Sequence, residues 1–154
     1  MAEKLILIVD SREQRELDFS RFKGVATIRQ GLKTGDYSIS GLEDKWICER
    51  KSIPDLVGTI GGSGHTRFLR ELDRMRSFDA KYILVEHAPD VLFSYCLQHG
   101  WREKLNTTIQ SLLAYACHYG VRVRFCKNRE DMAKYIIAKA REYVENKNGN
   151  CIKN

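Results

Sequence analysis

Three side chains that could act together on a phosphate ester are Asp36, Glu49 and Lys51. Two carboxylates on adjacent strands can bind one hard divalent cation through oxygen and leave positions for water and a phosphate oxygen. A lysine two residues beyond the second acid can orient or deprotonate the attacking water and oppose the charge on the phosphate. Their types and spacing therefore predict metal-dependent hydrolysis, provided that the two strands pair.

A β-hairpin is the element that would bring these side chains together. Apolar residues and serines alternate over residues 37–40, a turn occupies residues 41–44, and a second strand covers residues 45–51. In the second strand a period of two places Glu49 and Lys51 on the same face. The hairpin therefore directs both side chains toward one site.

Two acids that end apolar runs could join this site. Residues 4–10 read as a buried strand that ends in Asp10, and residues 81–87 read as another that carries Glu86 near its end. Asp10 could add a third carboxylate beside the metal. For Glu86 a buried structural role is the favoured interpretation.

Two helices are predicted after the hairpin, separated by a glycine-rich loop over residues 58–66. Ser52 and Asp55 have the spacing of an acidic capping box, and capping alone explains both residues. The polar face of the second helix carries three arginines: Arg67, Arg70 and Arg74. Such a face is either simply exposed to solvent or contacts a phosphate backbone.

The order of these motifs resembles a known family. Residues 9–13 read VDSRE, residues 35–37 read GDY, and residues 49–52 read ERKS with Asp55 following. They resemble the V-D-x-R-E, G-D-Y and E-R-K-x-x-x-D signature of the XPF-type structure-selective endonuclease domain, within the PD-(D/E)XK nuclease superfamily. The resemblance covers roughly residues 5–143.

This resemblance implies roles for individual residues. It implies Asp36, Glu49 and the backbone carbonyl of Arg50 as metal ligands, Lys51 as the catalytic lysine, and Asp10 as an acid near the metal. A further group is implied as supports or as contacts to the DNA backbone: Arg50, Asp55, Arg67 and, more weakly, Glu13. Arg70 and Arg74 share the arginine face with Arg67, and Ser52 is a supporting residue through its cap.

The pattern of elements predicts an α/β fold. Strands come first as a meander and then alternate with helices, which favours a mixed sheet with helices on both faces. The resemblance implies a restriction-endonuclease-like sheet, a nuclease domain over residues 1–145 and a flexible polar tail over residues 146–154. Residues 11–16 are expected to form a short helical turn. Two further helices are expected at the carboxyl end: one capped at Asn106 or Thr107, and one over residues 129–145.

Composition limits the cellular context. The chain has 154 residues, a formal net charge of +6 and five scattered cysteines without a CxxC pair. A mild basic excess is compatible with a polyanionic partner but does not require one. The cysteines predict reduced thiols, and no segment predicts a signal peptide or a membrane span. We therefore expect a cytoplasmic or nuclear protein that is not secreted and does not contact a membrane.

The favoured function is that of an endonuclease dependent on Mg²⁺ or Mn²⁺ that cuts DNA, with branched or flap duplexes as the substrates that the resemblance implies. It also implies a homodimer through the two helices at residues 107–119 and 130–145. Family members usually carry a tandem helix-hairpin-helix module, and none is expected in this chain, so a separate DNA-binding partner is a further expectation. Two alternatives stay open: a catalytically silent DNA-binding or scaffold subunit, and a nuclease without preference for branches.

Overall fold

Short apolar runs form a six-stranded sheet, and the amphipathic segments form helices that cover it. The computed structural model describes residues 3–60 and 65–151. In these residues the strands are β1 (Leu5–Asp10), β2 (Val25–Gln30), β3 (Tyr37–Ile39), β4 (Trp46–Lys51), β5 (Ala80–Val85) and β6 (Arg122–Phe125). The α-helices are α1 (Ile53–Ile60), α2 (His65–Arg74), α3 (Pro89–Gln98), α4 (Arg102–Tyr119) and α5 (Arg129–Cys151).

The strand order is β2-β1-β3-β4-β5-β6. β3 and β4 pair antiparallel and confirm the predicted hairpin, β1 pairs antiparallel with β3, and β4, β5 and β6 are parallel. The predicted meander is wrong at β2, which lies at the sheet edge and runs parallel to β1. A parallel neighbour requires a crossover connection rather than a tight turn, and residues 11–24 provide it.

Helices cover both faces of the mixed sheet, so the predicted α/β class is confirmed. Side chains that point to one face, such as Ile8, Ile47 and Ile83, are buried against α1 to α4. Side chains that point to the other face, such as Trp46 and Leu84, are buried with the inner side of α5. The alternation of strand side chains therefore sorts the residues of β4 between two separate cores.

The helix that follows the hairpin begins where the capping pattern predicts. The Ser52 hydroxyl accepts a hydrogen bond from the Asp55 N–H at 3.3 Å, and α1 continues through Gly58 into the region expected to be loop. Residues 61–64 of the glycine-rich segment lie outside the described part of the chain. The predicted cap of α4 at Asn106 or Thr107 is wrong, because both residues lie inside that helix, which begins at Arg102 with Trp101 as its N-cap residue.

Two segments differ from their expected conformation. Residues 11–16 form turns instead of a helical turn, because side chains bind the backbone there: the Glu13 carboxylate accepts from the Arg15 N–H at 3.0 Å. At the other end of the chain α5 continues to Cys151, into the segment expected to be a flexible tail. Neither α5 nor any other helix in the described residues has the length and hydrophobicity needed to span a membrane.

Candidate active site

The candidate site lies where the carboxyl ends of β1 and β4 meet the start of β3. Tyr37 pairs with Cys48, and the Asp36 N–H also donates to the Cys48 carbonyl, at 2.9 Å, which places Asp36 beside the end of β4 that carries Glu49. Gly35 makes this approach possible, because it has a φ of 76° and a Cβ there would clash with the Ile47 side chain.

Glu49 and Lys51 point to the same face of β4, as period two predicts. The Lys51 Nζ lies 3.6 Å from Glu49 Oε1 and 4.7 Å from the ring centroid of Phe68 on α2. Both charged side chains are 12% exposed. The lysine is therefore held between a carboxylate and an aromatic face at the edge of the α1 to α4 core.

The negative charges of Asp36 and Glu49 are poorly compensated by nearby positive charge. Burial is the main cause that raises the pKa of Asp36 to about 6, against the hydrogen bond that its Oδ2 accepts from the Arg50 N–H at 2.8 Å. Burial also raises the pKa of Glu49 well above its usual value, and the charge of Asp36 adds to this effect. Lys51 opposes both shifts without cancelling them. A cation or a proton is therefore needed to neutralise the pair.

This donor set fits a hard divalent cation. Mg²⁺ is commonly bound by one or two protein carboxylates and keeps several waters or phosphate oxygens in its remaining positions. Asp36 and Glu49 supply two such carboxylates beside a lysine. Among residues 3–60 and 65–151, no three His, Cys, Asp or Glu side chains are grouped closely enough to hold a metal ion. The fit therefore rests on two carboxylates rather than on three.

Asp10 does not complete a three-carboxylate group. It lies on the same face as Ile8 and is 3% exposed, but both of its oxygens are already in use. Oδ2 accepts from Arg12 Nε at 3.0 Å, and Oδ1 accepts from the Leu32 N–H at 2.9 Å. These contacts hold the loop before Asp36, and the role of Asp10 as a metal ligand stays a prediction.

A charge network occupies the opposite face of β4. The Arg50 guanidinium binds both oxygens of Glu13, at 2.9 and 3.1 Å, and lies 3.1 Å from Glu86 Oε2. Glu86 Oε1 in turn lies 2.6 Å from Nη1 of Arg129. The Arg50 side chain is 10% exposed, so its expected DNA contact is not supported and its alternative role as a support is favoured.

Sequence reasoning named Glu13 and Arg50 but missed Arg129. No motif marks this arginine, and 43 positions separate it from Glu86. Burial opposes the ionisation of Glu13, but hydrogen bonds from the Arg50 side chain and the Arg15 N–H outweigh it and lower the pKa of Glu13. Arg50 therefore helps to keep Glu13 ionised without any added cation.

A family model described as the ERCC4 domain matches residues 9–138, which include every part of the site described above. The chain belongs to the ERCC4 domain family. The match and the fold together confirm that it is an XPF-type nuclease domain, in a family of structure-specific DNA endonucleases. A comparison with curated proteins gives no match.

Solved structures give the same fold for this ERCC4 domain. XPF from Aeropyrum pernix superposes with a TM-score of 0.72 at 25% identity, and covers 90% of this chain and 65% of its own. XPF from Aeropyrum pernix in complex with DNA superposes with a TM-score of 0.69 at 23% identity, and covers 92% of this chain and 66% of its own. The chain thus spans about two thirds of the length of these structures.

The predicted arginine face of this ERCC4 domain is exposed on α2. Arg67, Arg70 and Arg74 are all open to solvent, and the ion pair that Arg67 makes with a described residue is a long one, 3.9 Å to Glu71. The same helix carries Phe68, whose ring lies against the Lys51 ammonium. The arginine face is therefore tied rigidly to the site and remains free to bind an anion.

Proposed function

We propose that this domain is a metal-dependent DNA endonuclease that hydrolyses phosphodiester bonds. The observation that carries the proposal is the pair of undercompensated carboxylates, Asp36 and Glu49, beside the Lys51 ammonium. Two acids that repel each other in a partly buried position destabilise the fold unless a cation joins them. Their presence is explained by chemistry and not by stability.

Asp36 and Glu49 would hold Mg²⁺ or Mn²⁺, with the backbone carbonyl of Arg50 as a third ligand. The Arg50 N–H points at Asp36, and in a strand the N–H and C=O of one residue point to the same side, so this carbonyl also faces the site. When bound, the cation would activate a water and stabilise negative charge on the phosphate. Lys51 would orient the attacking water and oppose the charge that develops on the phosphate.

DNA would approach across α2. The arginine face Arg67, Arg70 and Arg74 can contact phosphates on the substrate while Lys51, under the same helix, faces the bond to be cut. The relative solved in complex with DNA shares this fold, which supports DNA as the ligand. Branched or flap duplexes are the proposed substrates, since the family is structure-specific.

A second copy of the chain is the proposed partner, through α4 and β6. The expected contribution of α5 is reduced, because its apolar stripe, which includes Met132 and Ile136, is buried inside the protomer. An apolar groove remains between α4 and the edge strand β6, and Leu113 beside it is 59% exposed.

Free thiols at the described cysteines support the expected cytoplasmic or nuclear location.

The alternative is a silent DNA-binding or scaffold subunit. A silent copy has no chemical need for Asp36, Glu49 and Lys51 together, and the stability cost of the two acids argues against keeping them. The intact site therefore favours the enzyme.

Cleavage of flap, fork and linear duplex DNA with Mg²⁺ and Mn²⁺ tests this function. We expect wild-type protein to cut the branched substrates, and expect Asp36→Asn and Lys51→Ala to lose on the order of a hundredfold or more in rate while still binding DNA. Lys134→Ala, an exposed lysine on α5, is the matched control. Binding without cutting by the wild type would support the scaffold alternative, and equal cutting by the variants would refute the site.

A further inference from the structure

One arginine outside the family motifs is built into the support of the site. Arg129, the first residue of α5, directs its guanidinium at three acceptors. Its Nη1 lies 2.6 Å from Glu86 Oε1, and its Nη2 donates to the carbonyl oxygens of Arg15 at 2.7 Å and Glu16 at 2.9 Å. Arg129 thus joins α5 both to the end of β5 and to the segment that follows Asp10.

The contacts continue from Glu86 to the site itself. Glu86 Oε2 lies 3.1 Å from Arg50 Nη1, and the peptide N–H of Arg50 donates to Asp36 Oδ2 at 2.8 Å. We propose that Arg129 is a positioning residue that fixes the Arg50 backbone, and through it the Asp36 carboxylate. The consequence for metal binding rests on the proposed function, whereas the positioning of Asp36 does not.

Charge balance explains how Arg129 can affect the position of Asp36 through Glu86 and Arg50. The side chains of Glu13 and Glu86 are 5% and 6% exposed, and Arg50 and Arg129 give them two guanidinium groups for two carboxylates. Without Arg129 both acids share Arg50 alone. A buried carboxylate that loses one of its partners is strongly destabilised, so Glu86 would draw the Arg50 side chain away from its two-point contact with Glu13.

The geometry requires an arginine rather than any cation. Three acceptors on two separate segments, Glu86 and the carbonyls of residues 15 and 16, match the planar fork of a guanidinium. A lysine offers a single charged centre and cannot reach all three with the same orientation. Arg129→Lys should therefore keep the charge but lose part of the positioning.

Amide hydrogen exchange of the metal-free protein tests the positioning without any catalysis. We expect Arg129→Gln to speed exchange of the Arg50 amide by about tenfold or more, because its acceptor Asp36 is no longer held, with Arg129→Lys in between. The amide of Ile83, in the middle of β5, should keep its protection. Arg141→Gln is the matched control, since Arg141 also lies on α5 and donates to a backbone carbonyl, that of Lys23, far from the site.

The metal dependence of cleavage supplies the second readout. We expect Arg129→Gln to raise the Mn²⁺ concentration for half-maximal rate by about tenfold, with most of the rate recovered at saturating Mn²⁺. A merely structural role would lower the rate equally at all Mn²⁺ concentrations. A direct phosphate contact by Arg129, which is 36% exposed, would raise KM for DNA instead.

The two readouts separate this inference from the proposed function. Unchanged Arg50 exchange in Arg129→Gln, or equal acceleration of the Arg50 and Ile83 amides, overturns the positioning role. If Arg129→Gln does not fold, Arg129→Lys decides the same question, because it keeps the charge. A wild type that neither binds Mn²⁺ nor cuts DNA would refute the proposed function, while a selective change at the Arg50 amide would still establish the positioning role.

Discussion

Two pairs of carboxylates at the same end of the sheet, one pair on each face, differ in what surrounds them. Glu13 and Glu86 face two guanidinium groups, and the pKa of Glu13 is lowered. Asp36 and Glu49 face one lysine, and the pKa values of both are raised. Arg50 joins the two sets, with its side chain on one face and its N–H bonded to Asp36 on the other.

The difference separates a supporting side of β4, which carries Arg50, from a proposed reactive side, which carries Glu49 and Lys51. Carboxylates that are fully paired become costly only when a partner is removed, and they need no further cation. Carboxylates that are short of positive charge reduce stability unless a cation or a proton joins them. In the proposed function, β4 therefore uses one side for support and the other for chemistry.

The largest effect on stability is expected from the supporting side. Arg50→Ala would leave Glu13 and Glu86 with Arg129 as their only guanidinium, and we expect a loss of about 3–5 kcal/mol in the free energy of unfolding. Urea unfolding at pH 7 measures it. The matched control is Arg122→Ala on β6, an exposed arginine whose loss should change stability by no more than about 0.5 kcal/mol. Equal effects of the two changes would remove the distinction between the faces.

On the reactive side, removing a charged side chain is expected to raise the free energy of unfolding rather than lower it. In metal-free protein at pH 7, Asp36→Asn should raise the free energy of unfolding by on the order of 2 kcal/mol, because it removes a charge that burial opposes. Unfolding in the presence of a chelator is the measurement. Glu13→Gln is the comparison, and it should lower stability under the same conditions. Destabilisation by both variants would contradict the contrast between the two sites.

The pH dependence of metal-free stability should also differ between Asp36 and Glu13, and this effect is smaller. The pKa of Asp36 rises from 3.8 to about 6 on folding, so the folded state binds more protons and metal-free stability falls as pH rises from about 4 to 6. Glu13 has a lowered pKa, so its stabilising contribution is lost as pH falls. We expect the stability gained by Asp36→Asn over wild type to grow between pH 4 and 6 and then level off. A difference that is constant with pH would exclude Asp36 as its source.

The placement of Glu49 and Lys51 on one face of β4 was predictable from sequence because it is local. A hairpin and a period of two determine which residues share a face, and both can be read over residues 36–51. The start of α1 was predictable for the same reason, since Ser52 and Asp55 are three residues apart. The fold class followed from the order of strands and helices.

The supporting side was predictable only in part, because its contacts join distant parts of the chain. Arg50 and Glu13 were named as supports and Glu86 as a buried structural acid, whereas Arg129 looks like an ordinary charged residue until α5 brings it beside Glu86. The edge position of β2 was missed because hydrophobic pattern does not encode strand order. The start of α4 was missed because its N-cap residue, Trp101, makes no side-chain cap hydrogen bond, so no capping residue type marks it in the sequence.

Calorimetric titration of Mn²⁺ into the metal-free protein tests the central claim most directly. We expect wild type to bind one Mn²⁺ per chain, and expect Asp36→Asn and Glu49→Gln each to weaken binding by on the order of a hundredfold. Glu142→Gln, an exposed acid on α5, should bind as wild type does. No binding by wild type, or equal binding by all four proteins, would contradict a metal site formed by Asp36 and Glu49.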